Sequence, residues 1–370
     1  MEFVKLSDDI AKEWDSLVYQ SDDGWLFSLF DWQKAITAIP EWGLEEHSFA
    51  VFQDGKMVAA MPLSIRPGGV VASTGWGMSG PVIAPGVHPG YRDKILKNIF
   101  RHVLDIGNKN EAQRIEVAIS SLNKTSLTNR WGVNPLICYG FSDVSTHTRI
   151  IDLRLSEEKV YSRLSQDARY NIRSAVKSGF TVKRVMWSEW LDEYYEIHRE
   201  NYVRTGVTPH PKAYFESVSH CFGNSNQAIL LTALDRLGNP VAFHNCARFK
   251  NTSLYWTGCC KNKYLNSGVN YLLVWEALVD SLKNGCEWYE MGESFPNIGE
   301  GKEKGLSVFK GKFGGELHRL YKGEIILDNK EPCKDSLNNW LRASEDLIQQ
   351  VLGPRFTGFL KKGLQKFRSI

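Results

Sequence analysis

A chain of 370 residues, 42% apolar and 24% charged, has room for two ordinary domains with their own cores, and this balance excludes a disordered or low-complexity chain. Net charge is only +3, and the five basic residues Arg355, Lys361, Lys362, Lys366 and Arg368 of the acid-free stretch 354–370 leave the remainder at −2. General nucleic-acid binding by the body of the chain is thereby disfavoured.

The opening MEFVKLSDDIAKEW lacks the basic-then-apolar pattern of a signal peptide, and no apolar run approaches the roughly 20 residues that span a bilayer. Seven cysteines without a C-x-x-C pair indicate neither a disulfide framework nor a zinc site. A reducing, cytoplasmic compartment is therefore expected. Twelve tryptophans are many, and core and interface packing accounts for most; a few can line a substrate groove.

Along the chain, a helix is expected over 28–38, followed by two apolar runs joined at Asp54-Gly55, a strong hairpin signal. A Gly-rich stretch (73–86), a helix over 91–107 and a strand over 114–119 come next, with further strands near Ile137 and over 149–153. The second half opens with a helix from Ser156 to Lys177, closed by Gly179. Then come a strand (180–185), a helix (188–203) and a strand-turn-strand pattern in AILLTALDRLGNPVAFHNCARF. The stretch YWTGCCKNKYLNSGVNYLLVWEALVDSLKNGCEWYEMGES reads as strand, glycine turn, helix and strand, and GLSVFKGKFGG follows it. Both halves thus contain a hairpin, a glycine-rich segment and a helix, which suggests a duplication at domain scale. The expected units are 1–150, 151–330 and a tail over 331–370, in which Asp335 caps a helix ended by Gly353-Pro354.

Four segments carry a resemblance to a known family: LSQDARYNIRSAVKSGFTVKRV, YYEIHRENYVRTGVTPHPKAYFESV, SGVNYLLVWEALVDSLKNGCEWYEMG and GLSVFKGKFGG. In their order and spacing they resemble the FemABX aminoacyl transferases and the related BioF2-like acetyltransferases of the GNAT superfamily. The resemblance covers about 155–321. It implies an α/β fold of two tandem GNAT-like (acyl-CoA N-acyltransferase) domains, with mixed sheets flanked by helices. It also implies an acyltransferase of cell-envelope biogenesis that acylates an amine on a polysaccharide or its nucleotide- or lipid-linked precursor. Where the family has an Asp-containing Tyr-Asp-x-Gly, this chain reads Tyr289-Glu290-Met291-Gly292, and the long helical arm of some cell-wall members is absent. Acyl-CoA is accordingly favoured as donor over aminoacyl-tRNA. A peptidoglycan-bridge aminoacyl transferase and a non-catalytic glycan-binding module stand as alternatives.

Acyl transfer to an amine needs a path for the amine proton and donors for the developing oxyanion. Lys310, in a Phe309-Lys310 pair like the family's substrate-binding Phe-Lys, is the first candidate, against a solvated lysine on a strand. Glu290 and Glu293, flanking Gly292 at a strand end, are candidate bases, with surface acids the alternative. His244 is another, although a hydrogen-bonded core histidine fits it better. Arg169 and Arg173, with Lys177, form a basic helix stripe that can dock phosphates or simply face solvent. Tyr202, Arg204, Tyr255 and Trp256 are further substrate contacts. Ser267, Gly268 and Asn270 open the 269–283 helix, where free N–H groups favour an anion, and Lys261 and Lys263 stand nearby. No metal is expected. Phe356, Phe359, Leu360, Leu364 and Phe367 alternate with the tail's basic residues in a pattern suited to the inner face of a membrane, or to packing back on the body.

Overall fold

The computed structural model describes residues 1–73, 79–129, 132–296 and 300–327. The expected tail helix and basic segment lie outside these residues, as does part of the Gly-rich stretch.

The first half contributes strands β1 (Glu2–Lys5), β2 (Glu45–Glu46), β3 (Phe49–Gln53), β4 (Lys56–Met61), β5 (Ser64–Arg66), β6 (Val70–Ala72), β7 (Val82–Ile83), β8 (Arg114–Ala118) and β9 (Ser142–Asp143). Its helices are α1 (Ala11–Gln20), α2 (Phe30–Thr37), α3 (Pro89–Lys109) and α4 (Lys124–Leu127). The second half contributes β10 (Thr146–Asp152), β11 (Thr181–Val185), β12 (Ala228–Leu234), β13 (Pro240–Phe249), β14 (Thr252–Cys260), β15 (Trp288–Ser294), β16 (Glu316–Leu320) and β17 (Lys322–Ile326). With them come α5 (Glu157–Ser162), α6 (Gln166–Lys177), α7 (Trp187–Thr205), α8 (Lys212–Phe222), α9 (Val269–Lys283) and α10 (Lys302–Gly311).

Local chemistry accounts for most of these elements. Asp54 and Gly55 both take positive φ, 51° and 73°, as a two-residue hairpin turn requires, and join β3 to β4. Two expectations fail locally. The segment around Ile137 is a 3₁₀ turn, Pro135–Tyr139, because Asn134 Oδ1 accepts from the Leu136 N–H and Pro135 sets the first φ. The helix expected from Ser156 to Lys177 is two helices, each with its own serine cap: Ser156 Oγ accepts from Lys159 N and Ser165 Oγ from Ala168 N.

The same order of elements recurs in the two halves. A hairpin (β3–β4, then β12–β13) precedes a strand, a helix and a parallel strand (β6–α3–β8, then β14–α9–β15). The exchange between halves is not visible in any local pattern. Strand β10 sits between β15 and β16 in the seven-stranded sheet β11-β12-β13-β14-β15-β10-β16. Strand β17, inside the stretch expected to belong to the second unit, returns to the first half and lies between β8 and β9.

The halves also share a core. Trp14, Trp25, Phe27 and Trp32 of the first half form one buried cluster with Trp187, Tyr194, Tyr214, Phe222, Phe249 and Trp256 of the second. Ring pairs cross the seam at centroid distances of 4.9 Å (Phe27–Trp256) and 5.4 Å (Trp32–Phe222), in the edge and tilted geometries that aromatic quadrupoles favour. Most of the tryptophans are thus packing residues.

Candidate functional site

A cleft of about 1150 Å³ lies between the halves, walled by Ser64, Arg66, Ser73 and Glu116 on one side and by Tyr202, Thr257 and Lys310 on the other. Its floor is made where two parallel strands part. β14 and β15 are paired only from Thr252–Leu254 to Trp288–Glu290. Beyond that point each continues alone on the facing side, and Tyr255–Gly258 and Met291–Glu293 both line the cleft. A bulge at Asn245/Cys246 in the pairing of β13 with β14 helps to re-aim β14 there. Parted strands expose backbone N–H and C=O groups to whatever occupies the gap.

Lys310 and Glu290 meet at this fork. Lys310 lies near the end of α10, a helix and not the strand of a solvated lysine, and it is only 7% exposed. Its Nζ donates to the Glu293 carbonyl oxygen at 2.7 Å. Burial pushes the lysine down to about 8, although Glu290 and Glu293 pull the other way. Glu290 is 2% exposed and accepts two hydroxyl hydrogen bonds, Ser121 Oγ to Oε2 at 2.5 Å and Thr148 Oγ1 to Oε1 at 2.8 Å. Burial raises its carboxyl above the ordinary value, against the opposing pull of those two hydroxyls and of Lys310. Glu293 behaves differently: burial would raise it too, but the hydrogen bond from Lys322 Nζ, 2.7 Å, helps to bring it below the usual range. Two carboxylates three residues apart are therefore pushed in opposite directions, which suits Glu290 and not Glu293 to accept a proton.

Gly292 makes this geometry possible. It holds φ at +75°, and a Cβ there would stand 3.2 Å from Lys310 Nζ. Gly292→Ala is expected to lower activity about ten- to a hundredfold by displacing the ammonium group, with little change in far-UV circular dichroism. Parallel rate and spectral measurements on the variant check this.

The remaining sequence candidates divide. Tyr202, Tyr255 and Trp256 line the cleft. Trp256 is mostly buried in the shared core and donates Nε1 to the Tyr214 hydroxyl at 2.7 Å. Phe309 packs away from it, edge to face with Tyr271 and Phe313 at 5.1 and 5.3 Å. His244, 1% exposed, shares a 2.8 Å hydrogen bond with the Tyr289 hydroxyl and is pushed down to about 3 by burial, so it is a core histidine. Arg169 donates to the Ser162 and Leu164 carbonyls and thereby ties off α5, while Arg173 is exposed. Arg204 donates to Asn201 and lines a separate surface depression with Arg199 and Asn262.

Lys261, Lys263, Ser267, Gly268 and Asn270 gather before and in the first turn of α9, outside the lining of the cleft. Gly268 has φ +80°, and a Cβ there would lie 2.5 Å from the Asn171 carbonyl oxygen, so close packing on α6 explains this glycine. Ser267 Oγ is spent on the Tyr264 carbonyl at 2.6 Å, and Lys263 lies over the Tyr264 ring. Sequence reasoning missed Ser121, Thr148 and Lys322. Ser120-Ser121, polar residues just past the carboxyl end of a strand beside a parallel partner, were the available signal, since such ends are where α/β sheets bind ligands. Among the described residues no group of three or more His, Cys, Asp or Glu is arranged to hold a metal ion, and no helix is long and apolar enough to cross a membrane.

Residues 162–303 match the family model described as an acetyltransferase (GNAT) domain. No curated protein matches the chain in sequence. Among solved structures, FemX aligns over 88% of this chain and 98% of its own, with a TM-score of 0.65 at 14% identity. A tandem GNAT protein from the clavulanic acid biosynthesis pathway aligns over 89% and 99%, with a TM-score of 0.55 at 13% identity. The C-terminal domain of a putative lysylphosphatidylglycerol synthetase from Agrobacterium fabrum aligns over 92% and 96%, at 0.54 and 12%. At such identities the likeness is one of fold. Residues 162–303 thus carry a GNAT acyltransferase domain, within a fold like that of FemX and of the tandem GNAT protein.

Proposed function

We propose that this chain, as the bearer of a GNAT acyltransferase domain, moves an acyl group from acyl-CoA directly onto an amine of a cell-envelope saccharide or its precursor. The observation that carries the reading is the fork between β14 and β15 beside the buried Lys310 and Glu290. An extended donor chain with amide groups can take the place of a missing strand there, bonded by the exposed backbone of Tyr255–Gly258. Lys261 and Lys263, just past the end of β14, would hold its phosphates. Glu290 receives the proton of the attacking amine, directly or through a water. Lys310 Nζ faces the thioester carbonyl oxygen as negative charge collects on it. The departing thiolate takes a proton from solvent and Glu290 releases its own to solvent, so that the amide and the free thiol are the products and the carboxylate is restored.

The acceptor side rests on the cleft lining. Trp42 and Tyr202 offer aromatic surface for a sugar ring, and Ser64, Ser73 and Glu116 offer hydroxyl and carboxylate partners for its hydroxyls. Arg66 and Lys322 are engaged by Glu116 and Glu293, which favours neutral sugar contacts over a tight phosphate clamp.

The deciding experiment is a melting comparison with coenzyme A, acetyl-CoA, total tRNA and UDP-linked or free amino sugars, followed by thiol release from acetyl-CoA. A donor at about a hundred times its Kd adds about 2.7 kcal/mol and raises Tm by several degrees. Coenzyme A is expected to give this shift. A shift with tRNA alone would replace the donor with aminoacyl-tRNA. Saccharide binding without turnover from any donor would leave a binding module.

A further inference from the structure

We infer that Ser121, supplied by the first half, is a positioning residue that aims Glu290 and holds it as a carboxylate, so that the base of one half is completed by the other. The inference rests on the proposed role of Glu290. Ser121 is buried just past β8, and its hydroxyl reaches Glu290 Oε2 at 2.5 Å across 169 positions of sequence. That length is typical of a hydroxyl donating to an ionised oxygen. Thr148 of β10, fully buried, occupies the other oxygen at 2.8 Å. Each hydroxyl has a single hydrogen to give, and with both donated the carboxyl group has one oxygen engaged on each side, which favours the anion. Further lone pairs remain to take a proton from the cleft.

The surroundings give Ser121 its weight. The charged groups that face Glu290 are Lys310 of α10 and Glu293 on its own strand, of which the first favours the carboxylate and the second opposes it. β14 presents only Leu254 as the paired residue on the other side. A carboxylate so thoroughly removed from water depends on each hydrogen bond it keeps. Losing the Ser121 hydroxyl removes one donor to the anion without touching the cleft lining, and the carboxyl then protonates at higher pH. A protonated Glu290 cannot accept the amine proton. The acid limb of the rate profile therefore moves upward, while the affinity for the donor, which is held by the backbone of Tyr255–Gly258 and not by Glu290, does not.

The test uses the full chain, with acetyl-CoA thiol release followed from pH 5 to 9. Ser121→Ala is expected to move the acid limb of kcat/KM up by about one pH unit or more, with KM for acetyl-CoA unchanged and with Ser121→Thr restoring the wild-type limb. An even loss at every pH, or no change, would overturn the inference. If Ser121→Ala does not fold, Ser121→Cys, with a weaker donor of similar size, takes its place. A readout independent of any substrate is the NMR titration of glutamate labelled with carbon-13 at Cδ, in which the Glu290 signal is identified by its loss in Glu290→Gln. It must titrate higher in the Ser121 variant than in the wild type. Wild-type activity in Glu290→Gln would instead sink the base assignment itself, which separates failure of that reading from failure of this one.

Discussion

Replacing Lys310 by alanine is expected to lower kcat/KM for the proposed acyl transfer by about two to three orders of magnitude, the range for loss of one preorganised oxyanion donor. The lysine's ammonium group donates to the Glu293 carbonyl and has further hydrogens to give, so it can serve a second acceptor. Because burial brings Lys310 down to about 8, its charged form is full below that pH and lost above it. The wild-type profile should fall on the alkaline side near pH 8, and that limb should vanish from the residual activity of Lys310→Ala. Lys310→Arg is not expected to rescue, since the broader guanidinium must fit where a single Cβ on Gly292 would already crowd the ammonium. The measurement is a pH–rate series on all three proteins. An alkaline limb that survives in the alanine variant would assign it to another group.

Trp32→Ala carries the largest expected cost in stability. Trp32 is fully buried between Phe27 of its own half and Tyr214, Phe222 and Trp256 of the other, with centroid distances from 5.4 to 5.8 Å. Truncation of a core aromatic costs about 3–5 kcal/mol, a large part of the roughly 5–15 kcal/mol that holds a folded domain. Since the cluster belongs to both halves, fluorescence and circular dichroism should report one displaced transition and not two. Trp32→Phe should cost far less. The indole Nε1 is buried without a hydrogen-bond partner among the described residues, and phenylalanine removes that group along with some volume. Urea titrations of both variants check the order, and separate transitions for the two halves would contradict the shared core.

Elements governed by neighbouring residues were legible in the sequence. The Asp54-Gly55 turn, the hairpin of β12 and β13 and the helix α9 all follow from turn chemistry and periodicity. The failures have a different origin. Phe309 and Lys310 sit side by side on one helix, and only the tertiary placement of α10 lays the half-buried phenylalanine against Tyr271 and Phe313 and turns the lysine toward Glu293. Glu290 could be singled out beside Gly292, although it lies inside β15 and not at a strand end, and its partners Ser121 and Thr148 come from remote stretches that no local pattern links to it. The exchange of β10 and β17 is likewise a matter of long-range pairing. Local propensity fixes where a strand begins, and not which sheet receives it.

The return of β17 to the first sheet has a consequence for synthesis. β8 and β9 both pair with this strand, so after β9 emerges from a ribosome the first half waits for about 180 further residues. At about 5–20 residues per second the delay is about 10–40 seconds. Throughout that interval two strand edges of an unfinished sheet stand open to whatever else is at hand. A message broken before the codon for Lys322 yields a chain that never closes them. Cellular proteolysis would meet such a product with its largest defect in the half that was made first.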